Sequence, residues 1–299
     1  MKFLLLATLF FLHVTFATLF AEEVLKKEGL QKMIEPKVSF ESAYLSEADL
    51  SGFDGGVTVT KNSLNINNEL VGFSYTNWAF DWNGLANLPF GDGVHNPIEQ
   101  MHGFKINANI PYFINENWFL LSSISLKSTF EKEADNSYGV GLFSFASYKI
   151  SHEHAIQFGI FANYHPTATL ALPAISYSYR ARQSDGLKFV LGFPRTYVGY
   201  HVNEATLLRF GMLFSQSLIK LSQTSTIENS GFVEAKDYMS NVGFSYDFSD
   251  KLSLETDLLY SVKREFTLYS KDAQELDTYS IKPSLGVNFK VSYLCDITH

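Results

Sequence analysis

Through most of this chain apolar and polar residues alternate one for one, the period of a strand with two unlike faces. In SLGVNFKVSYL, Leu285, Val287, Phe289, Val291 and Tyr293 take one face, and Ser284, Gly286, Asn288, Lys290 and Ser292 take the other. A slip of one residue would exchange the faces, so the register is well specified. The rhythm recurs upstream. Phe104, Ile106, Ala108 and Ile110 oppose Lys105, Asn107 and Asn109, and Trp118, Leu120, Ile124 and Leu126 oppose Ser123, Ser125 and Lys127. Ile156, Phe158 and Ile160 oppose Gln157, Gly159 and Asn163, and Leu252, Leu254, Leu258 and Tyr260 oppose Ser253, Glu255 and Asp257. Two stretches, GLFSFASY and LLRFGMLF, are apolar on both faces, which predicts an interior that is packed in part.

The links between these runs are of two kinds. Tight polar turns are expected at 115–117, 151–154, 182–186, 203–205 and 249–251, and longer linkers at 82–101, 131–137, 223–235 and 266–277. Short and long links alternate, as in outer-membrane barrels with tight periplasmic turns and long external loops. Counting by this parity predicts an all-β, antiparallel transmembrane β-barrel of about 14 strands with both ends in the periplasm. The hairpin around GFPRTYVGYHV is the weakest, and without it the count is about 12. The runs reach about 9–11 residues, the length of a membrane strand. The soluble alternative, a secreted β-sandwich, uses strands of about 5–6. Two girdles of rings are expected where strands leave the membrane. Trp78, Tyr164 and Tyr260, with Phe80, fall near the outer ends, and Tyr112, Trp118, Tyr148, Phe248 and Tyr293 near the periplasmic ends.

The first residues change the picture from fold to location. Lys2 precedes a long apolar run that stops at Ala21, with Glu22, Glu23, Lys26 and Lys27 immediately after it. That is the basic start, apolar middle and small-residue exit of a secretory signal, so 1–21 is expected to be cleaved, with Ala17 as the alternative cut. An uncleaved anchor helix is the competing reading. A short periplasmic segment, 22–35, then leads into one barrel domain over 36–294, and 295–299 form a tail. No later stretch is apolar for long enough to be a membrane helix, so strands must do the spanning.

Composition fits. Charged residues are 18% of the chain, against about 25% in a typical soluble domain. Phe numbers 27 and Tyr 16, and the net charge is -8 with no large Lys/Arg cluster. Nucleic acid is therefore excluded as a natural partner. The one cysteine, Cys295, leaves no internal disulfide and no cysteine zinc cluster.

Two stretches carry a resemblance. SLGVNFKVSY, with Gly286 and then Phe289, Val291 and Tyr293 on one face, resembles the C-terminal signal by which barrel-assembly machinery recognises its clients, although LCDITH follows it. GLKFVLGFPRTYVGYHVNEATLLRFG, around Gly192, Phe193 and Pro194, resembles a segment seen in a family of uncharacterised proteobacterial outer-membrane β-barrel proteins. The resemblance implies the fold, outer-membrane lipids and the assembly machinery as partners. It implies no activity, and no functional residue comes with it.

Motifs for chemistry are sparse. His152 and His154 flank Glu153, but a polar turn is the plainer reading of SHEH than a metal site. His102, Ser122 and Asn107 are residue types that an outer-membrane lipase or protease would use, yet no G-x-S-x-G and no phosphate-binding loop surrounds them. No cofactor is expected. The strongest functional clue is the set of polar residues on the face opposite the apolar one: Lys105, Asn107, Lys127, Lys188, Arg209, Glu255, Asp257, Asn288 and Lys290 are expected to line the lumen. Lumen charge tunes which solutes pass, so a porin-like or gated transport protein for small solutes is the first expectation. A non-conducting structural or adhesive surface barrel that works through its loops is the alternative, and a hydrolase is third. The loop GLANLPFGDGVHNPIEQ, with its prolines and glycines, is expected to fold into the mouth or cover it.

Overall fold

In the final strand the apolar side chains point outward and the polar ones inward. Leu285, Val287, Phe289, Val291 and Tyr293 are between 39% and 55% exposed, whereas Ser284, Asn288 and Ser292 are at most 7% exposed. This reverses the order of a soluble sandwich, whose apolar faces are buried against each other. It is the construction of a barrel whose outer face meets hydrocarbon.

The computed structural model describes residues 33–181 and 186–295. The strands are β1 (Lys37–Asp49), β2 (Gly56–Asn67), β3 (Val71–Asn83), β4 (Gln100–Phe113), β5 (Trp118–Phe130), β6 (Tyr138–Lys149), β7 (His154–Tyr164) and β8 (Leu170–Arg180). There follow β9 (Gly186–Phe193), β10 (Arg195–His201), β11 (Thr206–Lys220), β12 (Phe232–Asp247), β13 (Leu252–Tyr269), β14 (Glu275–Ile281) and β15 (Ser284–Leu294). Each pairs antiparallel with its neighbours, and β1 with β15 closes the ring. β14 and β15 both pair with β13, one on its upper part and one on its lower, so together they make one barrel strand interrupted at Lys282 and Pro283. The result is an all-β, antiparallel closed barrel of 14 strands. The expected signal segment, most of 22–35 and the tail beyond Cys295 lie outside the described residues, as does the turn at 182–185.

Turn chemistry fixes the end that carries the chain termini. Asn115 Oδ1 accepts from the N–H groups of Asn117 and Trp118, each at 3.0 Å, and Asn203 Oδ1 accepts from Ala205 and Thr206. Asn68 does the same between β2 and β3. A short polar side chain thus holds the turn without help from the membrane.

The opposite end departs from the expected linkers. Residues 223–235 and 266–277 are not wholly linker: β12 begins at Phe232, β13 continues to Tyr269, and β14 starts at Glu275. β11, β12 and β13 run for 15, 16 and 18 residues, beyond the about 9–11 that a membrane needs. Their upper parts are held by packing: Ile219, Val233, Phe266 and Leu268 enter a buried apolar core at this end. Phe80 belongs to that core and Trp78 packs against it, so neither stands in an outer girdle as their position near a strand end suggested. Alternation along β3 puts Trp78 and Phe80 on the inner face with Ser74 and Thr76, and a ring near a strand end reaches the headgroup level only from the outer one. The hairpin at Gly192–Phe193–Pro194 forms from the two shortest strands of its wall, β9 and β10.

Candidate functional site

The inner face divides into three parts, each built by strand parity. The first is a wall of ion pairs on β11, β13 and β15. Arg209 reaches Asp257 through two hydrogen bonds, Nε to Oδ1 at 2.8 Å and Nη2 to Oδ2 at 2.7 Å, and also donates to Glu255. Lys290 Nζ donates to the second oxygen of Glu255 at 3.0 Å, and Asn241 and Asn288 donate to Asp257. Of the nine residues expected to line the lumen, these strands bring together Arg209, Glu255, Asp257, Asn288 and Lys290. Asn241 and the glycine beside it, Gly243, are partners that alternation alone did not single out. Four charged groups held this tightly by charge-assisted hydrogen bonds tie β11, β13 and β15 together across one wall.

The second part is a cavity of about 300 Å3 in the upper lumen. Lys105 and Lys127 face each other across the β4–β5 ladder, both pointing inward. Lys127 Nζ donates to Asn163 Oδ1 at 2.7 Å. Lys61 and Glu41 also line the cavity, and the Lys61 ammonium lies 5.9 Å from the centre of the Trp78 ring. Glu41 and Lys61 obey the same alternation as the residues named from the sequence, which is the signal that would have found them. Of the others, Asn107 lies on the inner face one pair below Lys105 and hydrogen-bonds Asn109, and Lys188 stands at the lower end of β9 beside Tyr197.

The third part is an apolar plug packed into the mouth against β1–β3 and β11–β14. The loop at 84–99 folds inward, as its glycines and prolines suggested. Ile98 is buried in the core, and Leu85, Leu88 and Phe90 pack against it. Trp82 Nε1–H donates to the Ile98 carbonyl at 2.8 Å, and Phe90 meets Trp82 and Tyr279 edge-on at 5.6 and 5.4 Å. Gly84 makes the fold of the loop possible: its φ is +59°, and a Cβ there would lie 2.2 Å from the Asp54 carbonyl oxygen. At the loop's exposed tip Asp92 accepts from the N–H groups of Val94 and His95 and from the His95 ring at 2.7 Å. These contacts hold the Asp92 carboxyl well below the usual carboxylate range, and its charge raises His95.

The remaining candidates do not assemble into chemistry. His102 is hydrogen-bonded to the Tyr75 hydroxyl and Ser122 to Ser144, both on the outer face, while Asn107 points inward. His102 and Ser122 stand eight positions apart along the β4–β5 ladder, from His102↔Phe130 to Ile110↔Ser122, a distance of about 26 Å. His154 is taken up by the Tyr177 hydroxyl, and among the described residues no group of three metal-ligating side chains occurs. Of the rings expected in girdles, Tyr112, Tyr148, Tyr164, Phe248, Tyr260 and Tyr293 are exposed on the outer surface, and Trp118 stacks on Tyr148 at 4.9 Å.

No family model matches the chain, and no curated protein does. Among solved structures it is similar to the KdgM porin, at 9% identity over 87% of this chain and 99% of that one, with a TM-score of 0.38. It is similar also to the translocator domain of the autotransporter NalP from Neisseria meningitidis, at 12% identity over 95% and 98% with a TM-score of 0.36. A FadL homologue of Pseudomonas aeruginosa is similar at 12% identity over 89% and 91%, with a TM-score of 0.39.

Proposed function

We propose that this chain is a gated transport protein of a bacterial outer membrane, which takes a small solute through its lumen with the loop at 84–99 as the closing element. One observation supports the reading above all others. A cavity with polar and charged walls lies in the upper lumen, and Trp78, which lines it, also packs against the core formed by the inward-folded loop. A barrel that only displays its loops has no need of one folded inward, nor of lysines turned toward a cavity in the lumen. The non-conducting surface barrel is the second reading, favoured by the dry aromatic packing of the plug itself.

Conductance of the refolded chain in a planar bilayer tests the choice. The intact barrel is expected to conduct rarely. A variant in which 85–98 are replaced by a short glycine-asparagine turn is expected to conduct steadily. A shortened barrel that folds, judged by heat-modifiable gel mobility, and stays silent would overturn the transport reading.

A further inference from the structure

The barrel wall is not complete. β8 pairs with β7 along its length but with β9 only from Ile175 to Arg180. β11 pairs with β10 only as far as Leu213, and its upper part has β12 on one side alone until Lys220 meets Phe130 of β5. Between these edges, above the turn at Pro194, no strand stands. Two missing strands leave three strand spacings, so the gap is about 14 Å wide at its sill. It narrows upward to the contact in which Asn163 Nδ2 donates to Gln216 Oε1 at 3.3 Å. Pro173, which has no N–H to give, lies in the open stretch of β8, where proline is tolerated best.

This gap lies in the half of the barrel away from the chain termini. Ile175 and Met212 flank it on the outer face and are exposed, and the tilted rings of Phe193, Phe214 and Tyr238 line its lower edge, their centres 5.9 and 4.9 Å apart. Open strand edges cannot face hydrocarbon alone, so something polar must reach them from within. The cavity does so: its lining runs from Lys105 and Lys127 to Ala168, just before β8, and to Gln216 and Leu218 on β11. Phe161, Leu172 and Leu213 share the inner face below, giving an apolar path to the gap.

The lysines indicate what the cavity takes. Like charges set directly opposite on one sheet face repel. Neither Lys105 nor Lys127 has a carboxylate partner among the described residues, and the cavity holds Lys61 as well against the single acid Glu41. The side gap gives the cavity an approach through the barrel wall. We propose that the cavity binds the anionic head of a single-chain amphiphile between Lys105 and Lys127, while its alkyl tail lies through the gap between β8 and β11 into the outer leaflet. This names the substrate class for the transport reading and rests on it. The test measures binding alone, so its failure leaves the conductance result intact.

The probe is dodecyl phosphate with a photoreactive group at the tail end, added to the full mature chain in phosphatidylcholine nanodiscs. Adducts are expected to concentrate on the flanks of the gap, at Leu172, Leu213 and their neighbours, and to fall about tenfold in the folded K105Q/K127Q variant. Leu213→Trp, which fills one flank, is expected to lower them without changing the affinity for inorganic phosphate. Adducts spread evenly round the outer band, or gap adducts undiminished in K105Q/K127Q, would overturn the proposal. So would inorganic phosphate displacing the probe at equal concentration, since the tail would then contribute nothing.

Discussion

Arg209 on β11 and Asp257 on β13 are bonded twice although a whole strand runs between them, and the residue of β12 that lies in the row between them is Gly243. A Cβ at Gly243 would lie 2.1 Å from the Thr256 carbonyl oxygen and 2.4 Å from Asp257 Oδ1. The glycine therefore does two things at once: it lets β12 and β13 approach, and it clears the line along which the guanidinium passes.

Gly243→Ala is expected to destabilise the barrel by about 1–3 kcal/mol through this overlap. Arg209→Met should cost about 3 kcal/mol, because Asp257 and Glu255 would be left side by side on β13 with Lys290, bonded to Glu255, as the one cation of the cluster. Neutralising the acids as well, in R209M/E255Q/D257N, should restore most of the loss. Urea unfolding in phospholipid vesicles, followed by tryptophan fluorescence, measures all three. An R209M barrel as stable as the parent would show that lumen water already screens the pair.

The hold of the plug on the mouth should be graded by what is removed at Trp82. Trp82→Phe keeps most of the ring but leaves the buried Ile98 carbonyl without its donor, a loss of about 1–2 kcal/mol. Trp82→Ala removes the packing against Phe80 and Phe90 too, about 3–5 kcal/mol. Each 1.4 kcal/mol is about a tenfold change in the closed-to-open ratio, so single-channel open time should rise in the order parent, W82F, W82A. The reverse order would separate the loop from gating.

The loop tip should respond to pH with a defined sign. His95 is raised above its ordinary 6.5 by Asp92, so its contribution to loop order is complete below that value and fades as pH rises through the raised one. Asp92 is depressed below its ordinary 3.8, so its contribution is complete above that value and fades only as pH falls through the depressed one. The tip is therefore best held between the two ordinary values. An NMR titration of the His95 ring should give a midpoint above 6.5 that falls back in Asp92→Asn. An unchanged midpoint would mean that the pair is not formed in solution.

The parts of this molecule that were legible in the sequence are those set by strand parity. Alternation in β4, β5, β7, β13 and β15 assigns Lys105, Lys127, Asp257 and Lys290 to one face without knowledge of the fold. What parity cannot supply is how high each strand rises. Phe232–Glu234 and Phe266–Tyr269 look like linker because no membrane is needed to hold them; they pair with each other, and Val233, Phe266 and Leu268 pack in a core with Leu50, Val57 and Ile98, which are distant in the chain. Trp78 fails as a girdle residue for the same reason, since the core that draws it inward includes the loop after its own strand. The gap in the wall was foreshadowed only by the shortness of the runs either side of Pro194 and by Pro173, signals that also suit an ordinary turn and an edge.

Lys127→Glu should both stabilise the barrel and reverse its selectivity. In the parent two ammonium groups oppose each other across β4 and β5. In the variant an opposite-charge pair replaces them, which favours folding by about 0.2–1 kcal/mol, less the hydrogen bond now made to Asn163. The cavity's charge moves by two units toward the acidic side, because one positive group is lost and one negative gained. A plug-shortened barrel should accordingly prefer anions with Lys127 present and lose or invert that preference with Glu there. The reversal potential across a salt gradient reads this directly, and Lys188→Glu, outside the cavity near the start of β9, is the control for long-range charge. If both substitutions shift the potential equally, selectivity follows the net charge of the lumen and not the face-to-face lysines.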